Sequence, residues 1–138
     1  MSNAYTGGCA CGAIRYETFS QPIFENHCQC SDCRHRSGTG HGSYLTFPDR
    51  SGVKITGEAR LWGLMADSGN EKFHAFCPNC GTPVYLTFKA MPDLIAITAS
   101  SLDDPHLFRP QVVTYSAHGL AWDRMDPALV FYKKMVAG

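Results

Sequence analysis

The chain has 138 residues, twelve basic side chains balanced by twelve acidic ones, and seven cysteines. A neutral charge balance gives no field to gather nucleic acid or an anionic membrane, which argues against a DNA-reading zinc module. No apolar run approaches the roughly 20 residues of a membrane span, and no charged leader precedes an apolar stretch, so a reducing cytoplasm is the expected compartment.

The length suits one domain over residues 5–138, with Met1-Ser2-Asn3-Ala4 reading as a cloning remnant. A first knuckle, Cys9-x-Cys11-Gly12, runs into a strand from Ala13 to Glu17. Cys28-Gln29-Cys30-Ser31-Asp32-Cys33 then leads into a short helical turn from Ser31 to Arg36. Short aromatic and β-branched segments bounded by Gly, Pro, Asp and Asn follow, at His41–Phe47, Val53–Thr56, Ala59–Leu64 and Lys72–Phe76. The last cysteine pair, Cys77-Pro78-Asn79-Cys80-Gly81, precedes a strand from Pro83 to Phe88. Further strands are expected at Leu94–Ala99 and Gln111–Tyr115. Ala128–Met135 fits a helix opened by Pro127, while Val130, Phe131 and Tyr132 suit a strand equally well. The sum is a mostly antiparallel β fold.

Seven cysteines grouped two, three and two supply four ligands for a closed site and three for an open one. A disulfide framework is disfavoured by the odd count and by partners one residue apart, which are awkward to bridge. Soft thiolates suit zinc, and Gly81 lets the chain turn closely around the sulfurs of its knuckle. The two end knuckles share a plan of cysteine pair, glycine and strand, which favours Cys9, Cys11, Cys77 and Cys80 as the closed structural site. Cys28, Cys30 and Cys33 lie within six positions and can be aimed at one point, leaving a coordination vertex for water or substrate. If Cys28 or Cys33 is instead a plain buried thiol, only one zinc remains.

Zinc held by three thiolates is a weak activator of water but readily takes a thiol, whose proton coordination can remove. Arg34, beside Cys33, is the expected anchor for the carboxylates of an anionic thiol, while His35 and Arg36 read equally well as a solvated basic turn. Ser37-Gly38-Thr39-Gly40 matches no phosphate-loop pattern and reads as pocket wall at most. His27, His35, His41 and His74 are candidates for a fourth ligand closing the second site. Trp62, Trp122, Phe73 and Phe76 are most simply core aromatics.

Three ordered motifs, Gly8-Cys9-x-Cys11-Gly12-x-x-Arg15-Tyr16, Cys28-x-Cys30-x-x-Cys33-Arg34-x-x-x-Gly38 and Phe76-Cys77-x-x-Cys80-Gly81, resemble the glutathione-dependent formaldehyde-activating enzyme family, which also includes centromere protein V. The resemblance spans about residues 7 to 122. It implies an Mss4-like fold of packed antiparallel sheets stapled by zinc. It also implies two zincs per chain, a structural one on Cys9, Cys11, Cys77 and Cys80 and a catalytic one on Cys28, Cys30 and Cys33. The implied activity is that of a carbon-sulfur lyase condensing a thiol such as glutathione with formaldehyde. The family often places histidine where this chain has Gln29. The competing expectation is a non-catalytic, zinc-stapled interaction module, since fold does not settle function. Three ligands hold less tightly than four, so the second metal is expected to be the labile one.

Overall fold

A computed structural model describes residues 4–66 and 68–136; Met1, Ser2 and Asn3 of the expected remnant lie outside the described residues. Eleven strands are described, in chain order β1 (Tyr5–Gly8), β2 (Arg15–Thr18), β3 (Phe24–Cys28), β4 (Gly42–Phe47), β5 (Lys54–Thr56), β6 (Arg60–Met65), β7 (Glu71–Phe76), β8 (Pro83–Phe88), β9 (Ile95–Thr98), β10 (Val112–Thr114) and β11 (Val130–Phe131). One α-helix, α1 (Ser31–Ser37), interrupts them between β3 and β4. The protein is mainly β, as the short bounded segments predict. No described helix is long and apolar enough to cross a membrane.

The strands form a three-stranded sheet, β1-β2-β5, and an eight-stranded sheet, β11-β10-β3-β4-β9-β8-β7-β6. Cross-strand partners share a face, so the register sorts the large sheet into two surfaces. Leu45 lies opposite Ile97 and Phe47 opposite Ile95, and these four fully buried side chains form one surface. They pack with Ile14, Tyr16 and Val53 from the β1-β2-β5 region in the main hydrophobic core. Tyr44 lies opposite Asn26 and Thr98, and Leu86 opposite His74 and Ala96, on the other surface. There a second cluster gathers Tyr44, Leu86 and Ala96 around Cys28, Cys30 and Cys33.

The sheet is mixed rather than wholly antiparallel, because β10 pairs in parallel with both β3 and β11. The chain reaches β10 only after leaving β9 and crossing residues 99–111, long enough to permit a parallel return. The helical option for Ala128–Met135 is excluded: Val130 and Phe131 form β11, with Val130 N–H bonded to the Gln111 carbonyl and Tyr132 N–H to that of Val113. Two strands were not anticipated. β1 contains Gly7 and Gly8, poor strand formers, and β3 carries Glu25, Asn26 and His27 without an alternating apolar pattern.

Trp62 and Trp122 are not core residues. Trp62 lies on the edge strand β6, where the Arg36 guanidinium sits 5.3 Å from its ring centroid, and Trp122, 66% exposed, lies in the loop before β11. Their size would suit a core, but an edge position and a cation over the ring leave Trp62 half in solvent.

Candidate metal and active site

The two end knuckles are built by the same hydrogen bonds. The Cys9 N–H donates to the Ile14 carbonyl at 3.1 Å and the Gly12 N–H returns to the Cys9 carbonyl; in the second knuckle Cys77 donates to Thr82 and Gly81 returns to Cys77. Gly12 and Gly81 adopt left-handed φ of 83° and 78°, which a residue with a Cβ resists, so each chain reverses tightly around its sulfurs. Backbone N–H groups also point at sulfur, from Ile14 to Cys9 at 3.2 Å and from Asn79 to Cys77 at 3.4 Å.

The two knuckles meet at one point. The four sulfurs of Cys9, Cys11, Cys77 and Cys80 lie within 4.8 Å of one another, with Cys11 at 3.6 Å from both Cys9 and Cys77. Thiolates 2.3 Å from a tetrahedral zinc would stand about 3.8 Å apart, so the spacing fits a metal and is far too long for a disulfide. Cys9 and Cys77 are buried in the main core, while Cys11 and Cys80 face outward. The hydroxyl of Thr82, 3.2 Å away, and N–H donors hold the Cys80 thiol down at about 5. The Cys11 thiol goes the other way: against a backbone N–H that favours its thiolate, sharing with the Cys77 and Cys9 sulfurs pushes it up to about 11.

The second cluster comes from the end of β3 and the first turn of α1. Cys30 is the N-cap of that helix, its sulfur accepting the Cys33 N–H at 3.3 Å. The three sulfurs of Cys28, Cys30 and Cys33 also lie within 4.8 Å of one another, and all three residues are buried. Hydrogen bonds from its two neighbours hold the Cys30 thiol down at about 2, while sharing with Cys30 pushes Cys28 up to about 11 and sharing with Cys28 and Cys30 raises Cys33. Both clusters therefore have the donor set and spacing to hold a metal ion, one with four sulfurs and one with three.

No described histidine brings a ring nitrogen into either cluster. His27 Nδ1 is 2.7 Å from Ser43 Oγ, His35 Nδ1 is 2.7 Å from the Ser31 carbonyl oxygen, and His41 Nδ1 is 2.7 Å from Asp123 Oδ1. Burial, together with the positive charges of Lys72 and Arg36, pushes the His74 imidazole down to about 4. Its Nε2 is buried and unpartnered. Gln29, where the resembled family often has histidine, instead ties the cysteine loop to the C-terminal segment: its Nε2 donates to Asp123 Oδ2 at 3.2 Å, and Asp123 in turn holds His41.

A cavity of about 200 Å³ opens against Cys28, Cys30 and Cys33, walled by Phe24, Tyr44, Leu86 and Phe88 among others. Arg34 is not one of its lining residues; its backbone N–H bonds the Cys30 carbonyl within α1. Arg36 stands between the rings of Trp62 and Phe76 and lines a different cavity with His41 and His74. The cation beside the triad is Lys72 of β7, whose side chain is 13% exposed and whose Nζ lies 3.5 Å from Asp32 Oδ2. Burial opposes its charge, but the Cys33 and Cys30 sulfurs and Asp32 outweigh that and raise its pKa. Tyr115, which also lines the cavity, is the single described non-glycine residue with positive φ, 56°. Strained backbone of this kind gathers at functional sites. Neither Lys72 nor Tyr115 has a sequence signal, since each reaches the triad through strand pairing rather than spacing.

Residues 4–118 match the family described as glutathione-dependent formaldehyde-activating enzyme. A crystal structure of a Rhodobacter sphaeroides protein is similar in fold, with a TM-score of 0.57 and 21% sequence identity over 76% of this chain and 96% of that one. With both knuckles and the cysteine triad inside the matched segment, the chain belongs to the glutathione-dependent formaldehyde-activating enzyme family.

Proposed function

We propose that this chain is a zinc-dependent carbon-sulfur lyase that adds a thiol to a small aldehyde, resembling S-(hydroxymethyl)glutathione synthase. The observation that carries this reading is a three-sulfur cluster with no fourth protein ligand among the described residues, opening onto a cavity. Zinc bound by Cys28, Cys30 and Cys33 would supply a Lewis-acidic position at which a thiol loses its proton.

The residues of the chain divide the remaining work. The apolar walls exclude water, which strengthens every charge interaction at the sulfur and limits loss of the aldehyde to hydration. Lys72 is placed to donate a hydrogen bond to the oxygen that becomes negative as the carbon-sulfur bond forms. Its charge also offsets the excess negative charge of three thiolates around a divalent ion. In the net reaction a carbon-sulfur bond forms as the carbonyl π bond breaks, and the thiol proton ends on the new hydroxyl. Cys28, Cys30 and Cys33 are the metal-holding residues of this reading. Arg34 adjoins Cys33 in sequence but is not among the residues lining this cavity.

Zinc-loaded protein incubated with formaldehyde and glutathione, with adduct followed by NMR, tests the reading. Adduct appearing in proportion to protein concentration supports it. A rate equal to the uncatalysed control at every protein concentration defeats the formaldehyde version.

A further inference from the structure

Of two cavities that reach the triad, the larger, of about 200 Å³, does not have the chemistry of a glutathione site; the other, about 90 Å³ between Cys30, Asp32, Lys72 and His118, is small and polar. Glutathione carries two carboxylates and an ammonium, each costly to bury without a partner. Among the described lining residues only Lys72 and Glu71 are charged. Lys72 Nζ lies 3.5 Å from Asp32 beside the triad and Glu71 3.9 Å from the Lys89 ammonium, so one cation and one carboxylate, both already in ion pairs, would have to serve a peptide with two carboxylates and an ammonium. Arg34, the residue expected to hold a carboxylate, is absent from the lining. Apart from the sulfurs, the rest of the lining is uncharged, with Phe24, Leu86, Phe88, Met91 and Met135 supplying most of the wall beside the amides of Asn26 and Asn70 and several hydroxyls.

Volume points the same way. Formaldehyde would occupy a small part of the cavity's approximately 200 Å³, whereas an apolar cavity of about 150 Å³ is enough to hold a benzene ring. Methionine at two wall positions supplies a polarizable surface that adapts to irregular apolar shapes. The cavity reaches the three sulfurs directly, so a body seated in it has its own sulfur within reach of the triad.

Resting on the thiol-adduct reading above, we infer that the thiol taken by this site carries an uncharged apolar body of the arylalkyl or branched-alkyl class. The body packs between Phe24, Phe88, Leu86 and the two methionines, and its sulfur lies at the triad. Atoms and electrons balance as for the parent reaction, with the thiol proton transferred to the hydroxyl of the adduct.

Cobalt(II)-loaded protein provides the test, because thiolate binding at the triad changes the sulfur-to-metal charge-transfer absorption independently of turnover. Titration with 2-phenylethanethiol, glutathione and 2-mercaptoethanol is expected to give a Kd at least tenfold lower for 2-phenylethanethiol than for either of the others. Met91→Glu, at a side chain already 48% exposed, should raise the Kd for 2-phenylethanethiol at least threefold more than the Kd for 2-mercaptoethanol, which is uncharged and has no apolar body to pack there. Equal or tighter binding of glutathione would overturn the apolar-substrate inference and leave the open-site reading standing. An absorption spectrum unmoved by all three thiols would overturn both.

Discussion

The four-cysteine cluster and the three-cysteine cluster use the same ligand chemistry in different mechanical settings. The first joins two knuckles 66 residues apart between Cys11 and Cys77, with Cys9 and Cys77 inside the main core. The second is local, drawn from six consecutive positions at the mouth of one short helix, on the opposite surface of the large sheet. A metal held by the long-range four-sulfur cluster would tie distant parts of the fold together. A metal held by the short-range three-sulfur cluster would be able to exchange an outer ligand with little change to the long-range packing.

The largest expected effect separates the two clusters by stability. Cys77, 1% exposed and part of the core, is the ligand whose loss should be worst tolerated. In zinc-finger peptides structural zinc contributes on the order of 10–16 kcal/mol, which matches or exceeds the roughly 5–15 kcal/mol of a typical domain. Cys77→Ser should therefore abolish cooperative thermal unfolding as followed by circular dichroism. A variant melting within a few degrees of the parent would show that the staple is dispensable.

Cys30→Ser should do the reverse. Serine is a good N-cap and can keep the bond to the Cys33 N–H, so α1 survives while the soft ligand is lost. Adduct formation should fall to the uncatalysed rate with the melting temperature nearly unchanged. Retained activity in this variant would remove the triad from the chemistry.

Lys72→Met sharpens the same contrast within the open site. Loss of a donor to a developing oxyanion costs roughly 10²-fold in kcat, about 2.7 kcal/mol. The charge-transfer spectrum of the cobalt(II) form should persist. An unchanged kcat would assign Lys72 to balancing charge alone.

A smaller effect belongs to His74, which lies near the triad but outside both clusters. Its imidazole is pushed down to about 4 from 6.5, so the unfolded chain takes up a proton that the folded one does not. Stability from neutral His74 is complete above pH 6.5 and is lost as pH falls toward 4, amounting to about 2 kcal/mol at pH 5 by linkage. His74→Leu should show a correspondingly shallower loss of stability between pH 7.5 and pH 5 in urea titrations. Parallel curves for the two proteins would mean that His74 titrates normally.

The smallest effect lies on the surface of the small sheet. Asp103 accepts from Arg15 Nη1 and from Thr6 Oγ1, each at 2.9 Å, and the two charged side chains are nearly half exposed. Exposed pairs contribute little, so Asp103→Asn should cost less than about 1 kcal/mol. A cost several times larger would show that the small sheet depends on that clamp and not on its sulfur staple alone.

What was legible in the sequence follows from range. Cys28-x-Cys30-x-x-Cys33 is a local pattern, and the structure brings its sulfurs together as the spacing requires; the two end knuckles carry their own local signals in Gly12 and Gly81. The helix from Ser31 and most strands were visible because turn residues bound them. The parallel pairing of β10 with β3 was not visible, since pairing partners 86 residues apart, Asn26 and Val112, leave no mark in either segment. The same holds for Lys72, which reaches the triad only because β7 lies in the same sheet surface as Leu86 and Tyr44. Arg34 adjoins Cys33 in sequence and is therefore visible as a candidate cation, whereas Lys72, 39 positions beyond Cys33, is visible only once the sheet is formed.

Metal content per folded chain, measured in parallel on the parent protein and Cys30→Ser after loading with zinc and removal of free ion, tests the division into a closed and an open site most directly. Two zincs are expected in the parent and one in the variant, with both proteins folded. One zinc in each would contradict it, leaving the three buried sulfurs of Cys28, Cys30 and Cys33 as packing and the four-sulfur staple as the only metal site.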